Sequence, residues 1–122
     1  MRSVLLLLAL VAAGCASGSG QAVPVSEERF KEDIESGRPY LVLFTVSYEG
    51  VAAMEGAARA LRGRARCIIL RLAEARSAFA EHRVSSPPTF ILFVKGKEVC
   101  RRSDAVGAEE LVEWVAEHLP KE

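Results

Sequence analysis

The side chains whose types and positions could support catalysis are the three cysteines, the two histidines and one of the glutamates, Glu49. No two of Cys15, Cys67 and Cys100 have the two intervening residues of a dithiol redox centre. His82 and His118 stand at the ends of predicted helices, where partial positive charge is favourable, and neither has a cysteine or acid at ligand spacing. We therefore expect no metal site and no cofactor.

The glutamate lies in VSYEGVAAM, residues 46–54, between an apolar run and a helix-like segment. Many α/β proteins place their chemistry at such a position. We expect Ser47 to cap the following helix and Glu49 to place a negative charge in its first turn. Glu49 has no partner acid, base or metal nearby in the sequence, so a non-redox activity there is a weak alternative.

The N-terminus is typical of an export signal. An apolar run of ten residues, 4–13, follows Arg2 and is too short to span a bilayer. The small residues before Cys15 resemble a bacterial lipoprotein box, in which that cysteine is lipidated. We predict a signal peptide over 1–14 and a lipidated Cys15 with a flexible tether over 15–25. Ordinary signal cleavage nearby, with Cys15 a bystander, is the alternative.

The remaining residues, 26–120, are enough for one domain. The whole chain has 122 residues, with 16 basic and 16 acidic side chains, and this balance gives no field to attract nucleic acid. Periodicity and turn signals predict helices at 26–36, 49–62, 74–82 and 108–119, with strands at 40–46, 67–72, 89–94 and 97–101. This order predicts an α/β fold, with a mixed sheet of about four strands and helices on both faces.

That order, with YLVLFTVSYEG early and SSPPTFILFVKGKEV late, resembles thioredoxin from about Ser26 to Leu119. The resemblance implies a thioredoxin-like fold in which Pro88 is a cis-proline facing the active-site turn. The residue before it is Pro87, which has no N–H to pair with a bound peptide in the family's manner. The family has a buried acid that assists proton transfer, and the matching position here is Leu43.

The family's Trp-Cys-Gly-Pro-Cys motif falls on Tyr48, Glu49, Gly50, Val51 and Ala52. Both cysteines are missing, and a carboxylate can neither attack a disulfide nor resolve a mixed one. The resemblance therefore implies a member that has lost disulfide oxidoreductase chemistry.

The resemblance also places two strands between Cys67 and Cys100. At about 4.8 Å per strand they would lie about 14 Å apart, beyond the roughly 7 Å that a disulfide allows. We expect Cys67 to be a core residue. Cys100 lies on an expected edge strand, where a thiol could link to another chain and give a weak or Cys100-linked dimer.

Two functions follow as hypotheses. The first is a membrane-tethered binding or structural module of the bacterial cell envelope, facing the periplasm or extracytoplasmic space, which meets an envelope protein of unknown identity. Its binding surface would be Tyr48, Glu49, Pro87 and Pro88, or the sheet edge. The second is an atypical thiol-disulfide oxidoreductase that uses Cys100. The run RALRGRAR, 59–66, could touch anionic lipid, although such runs are more often solvated helix ends.

Overall fold

The computed structural model describes residues 20–120. The predicted signal peptide, 1–14, and the predicted lipidation site Cys15 lie outside the described residues. The described part contains five strands, four α-helices and one 3-10 turn. These are β1 (Ala22–Pro24), α1 (Glu27–Glu35), β2 (Tyr40–Thr45), α2 (Val51–Leu61), β3 (Arg66–Arg71), a 3-10 turn (Leu72–Glu74), α3 (Arg76–Glu81), β4 (Thr89–Val94), β5 (Lys97–Arg102) and α4 (Ala108–His118).

The five strands form one mixed sheet in the order β1-β3-β2-β4-β5. β2 is central, as its unbroken apolar sequence predicts, and all six of its residues are buried. It pairs in parallel with β3 and antiparallel with β4. β5 closes the sheet as an edge strand, in a hairpin with β4.

The sheet has one strand more than predicted, because β1 lies inside the segment assigned to the tether. Its three residues pair in parallel with β3, with Ala22 opposite Cys67. A strand of three residues, only partly buried, carries too short a pattern to be recognised in sequence. The ordered sheet thus begins at residue 22 rather than after residue 25.

Helices cover both faces of the sheet, as predicted. Alternate residues of each strand point to opposite faces, so each helix pair meets its own set of buried side chains. α2 and α4 pack on one face around Leu41, Leu43, Ile69, Phe90 and Leu92. α1 and α3 pack on the other around Val42, Phe44, Leu70, Ile91 and Phe93.

The parallel strands give the sheet two different ends. We call the end where β2 and β3 finish, at Thr45 and Arg71, the carboxyl edge, and the end where they begin, at Tyr40 and Arg66, the amino edge. β4 runs the other way, so its first residue, Thr89, also lies at the carboxyl edge, opposite Phe44. This topology brings the segments around Glu49 and Pro88 together.

Candidate functional site

A tight turn joins β2 to α2 at the carboxyl edge. The Val51 N–H donates a hydrogen bond of 3.1 Å to the Tyr48 carbonyl. Gly50 has φ 86° and ψ −9°, the values of the third residue in a type II turn, where glycine is strongly favoured. A Cβ on Gly50 would lie 2.9 Å from Cδ1 of Leu43 and 3.1 Å from Cζ of Phe90. The turn is therefore built around the absence of a side chain at Gly50.

The start of α2 differs from the prediction. Gly50 is the N-cap, and no side chain caps this helix. The expectation that Ser47 caps it is wrong, because the type II turn places Ser47 three residues before the cap. The expectation that Glu49 lies in the first turn is also wrong, since the helix begins at Val51.

Glu49 instead folds back toward the end of β2. Its Oε1 accepts hydrogen bonds from the Thr45 hydroxyl at 3.2 Å and from the Ser47 N–H at 3.3 Å. Hydrogen bonding from the backbone N–H groups of Glu49 and Ser47 holds the pKa of this carboxyl below its usual value. The site therefore presents a fixed negative charge where the family motif has its first cysteine.

Two large apolar side chains stand exposed beside this carboxylate. Tyr48 is 77% exposed and Val46 is 52% exposed. Arg71, the last residue of β3, lies with its guanidinium carbon 5.6 Å from the centre of the Tyr48 ring. Its Nε donates a hydrogen bond of 3.0 Å to the Ser47 carbonyl. Arg71 therefore braces both the backbone and the aromatic ring of the turn.

The loop before β4 faces the turn. The peptide bond between Pro87 and Pro88 is cis, as the resemblance implies for Pro88. The buried Thr89 hydroxyl donates to the Ser86 carbonyl at 3.0 Å and lies 2.7 Å from the Ser103 hydroxyl. These bonds connect the proline loop to the segment that follows β5.

A cleft of about 400 Å³ lies between the turn and the proline loop. Most of its lining is apolar, and its two acidic lining residues are Glu49 and Asp104. Val51 and Pro87 do not line the cleft, whereas Tyr48, Glu49 and Pro88 do; the binding surface of Tyr48, Glu49, Pro87 and Pro88 stays a prediction. The lining residues are Tyr48, Glu49, Gly50, Ala52, Ala53, Pro88, Phe90, Asp104, Ala105 and Val106.

Neither of the two cysteines in the described region lines this cleft. Cys67 is buried in β3, and burial raises the pKa of its thiol to about 12. Cys100 is half-buried on the edge strand β5, and burial together with the charge of Glu98 raises the pKa of its thiol to about 11. Both are free, with β2 and β4 between them. Neither has a thiolate at neutral pH that could serve as a nucleophile.

The histidines do not join a metal-binding group. His82, at the end of α3, makes edge contacts with the rings of Phe30 and Phe93, with centroids 5.5 and 5.2 Å away. Burial lowers the pKa of His82. Across residues 20–120, no three His, Cys, Asp or Glu side chains are grouped so as to hold a metal ion.

The sequence interpretation missed Arg71 and the segment 104–106. Arg71 could have been found, because a polar residue ending a strand parallel to β2 must lie at the same edge as the turn. Nothing in the sequence marks Asp104, Ala105 and Val106, which reach the cleft only because β5 returns to the carboxyl edge.

Comparison with known proteins identifies the fold. No family model matches the sequence, and no curated protein matches it. Among solved structures, the chain is similar to a mutant thioredoxin from Halobacterium salinarum NRC-1, with a TM-score of 0.72 at 14% sequence identity. The match covers 86% of this chain and 96% of that one. The chain therefore has a thioredoxin-like fold, as the sequence resemblance implies.

Proposed function

From this thioredoxin-like fold, we propose that the chain is an exported, membrane-tethered lipoprotein that has lost disulfide oxidoreductase chemistry and binds another protein of the cell envelope. The observation that carries the binding role is the exposed Tyr48, which lines a mostly apolar cleft on a braced turn and has the exposed Val46 two residues before it. Exposed apolar side chains grouped around a cleft are typical of protein interaction sites.

The loss of redox chemistry is supported by the residues at the turn. Glu49 and Ala52 occupy the two positions where the family has its thiols, so no mixed disulfide can form there. Leu43, fully buried beneath Gly50, replaces the acid that would accept a proton. Three separate groups needed for the reaction are absent from one site.

An oxidoreductase that works through Cys100 is the less favoured alternative. The raised pKa of Cys100, about 11, keeps its thiol protonated at neutral pH. A resolving thiol is missing as well, because Cys67 lies three strands away, at about 14 Å. Cys100 remains the residue through which a disulfide-linked dimer would form, and a gel run without reductant would show it as a band at twice the monomer mass.

The charges and apolar groups of the cleft support one chemistry for the proposed partner. The hydrogen bonds from the Thr45 hydroxyl and the Ser47 N–H end on Oε1 of Glu49, and this side chain is exposed, so its carboxylate can meet a cation of another chain. Asp104 is already paired with Arg102 at 2.8 Å. A partner segment that places an apolar side chain against the half-buried Pro88 and Val106, with a lysine or arginine beside Glu49, fits this surface.

Site-specific photo-crosslinking in intact exporting cells tests the binding role. A photoreactive phenylalanine in place of Tyr48 should give one discrete adduct, and Glu49→Lys in the same chain should weaken it. The matched control carries the same group in place of Ala60, which is exposed on α2 toward the amino edge. Absence of an adduct from position 48, or the same adducts from both positions, would contradict the binding role.

A disulfide-reduction assay tests the loss of chemistry separately. With dithiothreitol as electron donor, the mature protein should reduce a protein disulfide no faster than the Cys67→Ser, Cys100→Ser double variant. A rate clearly above that background would overturn this part of the proposal and favour Cys100 chemistry.

A further inference from the structure

A group of cations gathers at the amino edge, the end of the sheet opposite the cleft. Arg38 precedes β2, Arg62 and Arg64 lie in the connection between α2 and β3, and Arg66 begins β3. The hairpin between β4 and β5 returns to the same edge, because Tyr40 pairs with Phe93. We call this group the basic edge; its members are Arg38, Arg59, Arg62, Arg64, Arg66, Lys95 and Lys97.

Shared grooves show that these segments are neighbours. Arg64 and Lys95 line one groove together with Pro39. Arg59, in the last turn of α2, lines another with Gly20 and Gln21. All members of the basic edge are exposed except Arg66, which is half-buried.

The charges of the basic edge are not neutralised within the described residues. The ion pairs that the structure contains between residues 20 and 120 use the guanidinium groups of Arg29, Arg101 and Arg102. Two further acids toward this end, Asp33 and Glu98, are already paired with Arg29 and Arg101. The acids outside these ion pairs are Glu35 and Glu117, in the last turns of their helices, and Glu55 beside Arg59. Seven cations against these three acids leave this end positive.

The chain enters the domain at this same edge. Ala22, the first residue of β1, pairs with Cys67 near the start of β3, and Gln21 lines a groove with Arg66. Four residues separate Cys15 from Gly20, and the five steps from one Cα atom to the next span at most about 18 Å. An anchor at Cys15 would therefore hold the basic edge close to the membrane, and the cleft on the far side.

We propose that the basic edge docks on an anionic phospholipid surface, with the turn and its cleft facing away from the membrane. The proposal rests on the membrane-tethered lipoprotein described above. Clustered Lys and Arg side chains next to an anchor are attracted to anionic headgroups within a Debye length, about 8 Å at physiological salt. Docking fixes the orientation of the domain and presents Tyr48 to a partner in the aqueous phase.

Vesicle flotation combined with hydrogen exchange tests the proposal on the mature protein from an exporting host. One set of vesicles is phosphatidylcholine alone, and the other has about one part in four of phosphatidylglycerol. In low salt, the anionic vesicles should slow amide exchange across 59–66 about threefold relative to neutral ones, without changing 46–54. Salt at roughly 500 mM should remove the difference.

Two charge variants distinguish the effect of the basic edge from the effect of the protein's net charge. Arg62→Glu with Arg64→Glu should abolish the effect of phosphatidylglycerol. Arg76→Glu with Arg83→Glu makes the same change of charge at two exposed arginines outside the basic edge, in α3 and just after it, and should leave the effect intact. Circular dichroism confirms that both variants fold.

The outcomes for the basic edge and for the anchor are distinguishable. If the protein floats with both vesicle types and its amide exchange over 59–66 is the same on both, docking of the basic edge is overturned and the lipid anchor is retained. Recovery on anionic vesicles alone, lost in the Arg62 and Arg64 variant, overturns the anchor and supports the basic edge. Recovery on neither type overturns both. If the two charge variants lose the effect of phosphatidylglycerol equally, net charge explains it and docking of the basic edge is overturned.

Discussion

The guanidinium carbon of Arg71 lies 5.6 Å from the centre of the Tyr48 ring, so the last residue of β3 supports the most exposed side chain of the turn. The same arginine donates to the Ser47 carbonyl at 3.0 Å. A residue of the neighbouring strand β3, distant in sequence, thus holds the turn that follows β2. This relationship makes Arg71 a positioning residue for the surface that we propose to be a binding site.

Arg71→Gln should loosen the turn. The cation–π contact and the hydrogen bond together contribute about 1 kcal/mol at a partly exposed site. We expect the free energy of unfolding measured in urea to fall by that amount. Amide exchange over 46–50 should be faster, and the photo-adduct from position 48 should be weaker. Arg76→Gln, which changes an exposed arginine of α3, is the control and should alter none of these. An unchanged exchange rate in Arg71→Gln would show that the arginine does not hold the turn.

Gly50→Ala should destabilise the protein by about 2 to 4 kcal/mol. An alanine would have to adopt a positive φ, and its Cβ would crowd Leu43 and Phe90. Gly107→Ala is the matched control, because Gly107 has φ −81° and open space around it, and it should cost less than about 1 kcal/mol. Equal midpoints of urea unfolding for the two variants would contradict the tight packing of the turn.

Restoring the missing thiols should create redox activity. Position 49 immediately precedes the N-cap of α2 and position 52 lies in its first turn, where the helix dipole would lower the pKa of a cysteine. We expect Glu49→Cys with Ala52→Cys to reduce a protein disulfide at least about tenfold faster than Glu49→Ser with Ala52→Ser. If the dithiol variant does no better than its serine control, the turn no longer has the geometry that the chemistry needs.

Stability should fall as the pH drops through the ordinary pKa of histidine, about 6.5. Burial lowers the pKa of His82 in the folded protein, so the unfolded chain takes up a proton at higher pH than the folded one. Protonation therefore favours unfolding between about pH 7.5 and 5.5. His82→Phe should flatten this dependence in thermal unfolding, whereas His118→Gln should retain it. A wild-type slope that survives His82→Phe would assign the effect to another group.

Cys15→Ser should release the protein from the membrane fraction and abolish incorporation of labelled fatty acid. One or more acyl chains on this residue are what would hold the domain at the bilayer. In the described part of the chain, no helix is both long and apolar enough to cross a membrane. Cys100→Ser should leave partitioning unchanged, and unchanged partitioning of Cys15→Ser would exclude the lipoprotein assignment.

The sequence predicts most of the fold because the elements are strongly patterned. The apolar strands β2 and β4 and the helical stripe from Val51 to Leu61 are local signals, and the structure has them within two residues of the predicted ends. β1 was missed because its three residues become a strand only when β3 lies beside them. Strand pairing is a long-range contact that short segments do not encode.

The sequence by itself determines that the turn lacks both cysteines, since side-chain identity requires no coordinates. Only the tertiary structure decides how the turn uses what remains. Glu49 is held by Thr45 and Ser47 rather than lying in the helix, and the cleft is completed by residues 104–106 from beyond β5. The reason is physical. The amino-acid sequence fixes which chemical groups are present, whereas hydrogen bonds and contacts depend on distances that are set by the packing of strands far apart in the sequence.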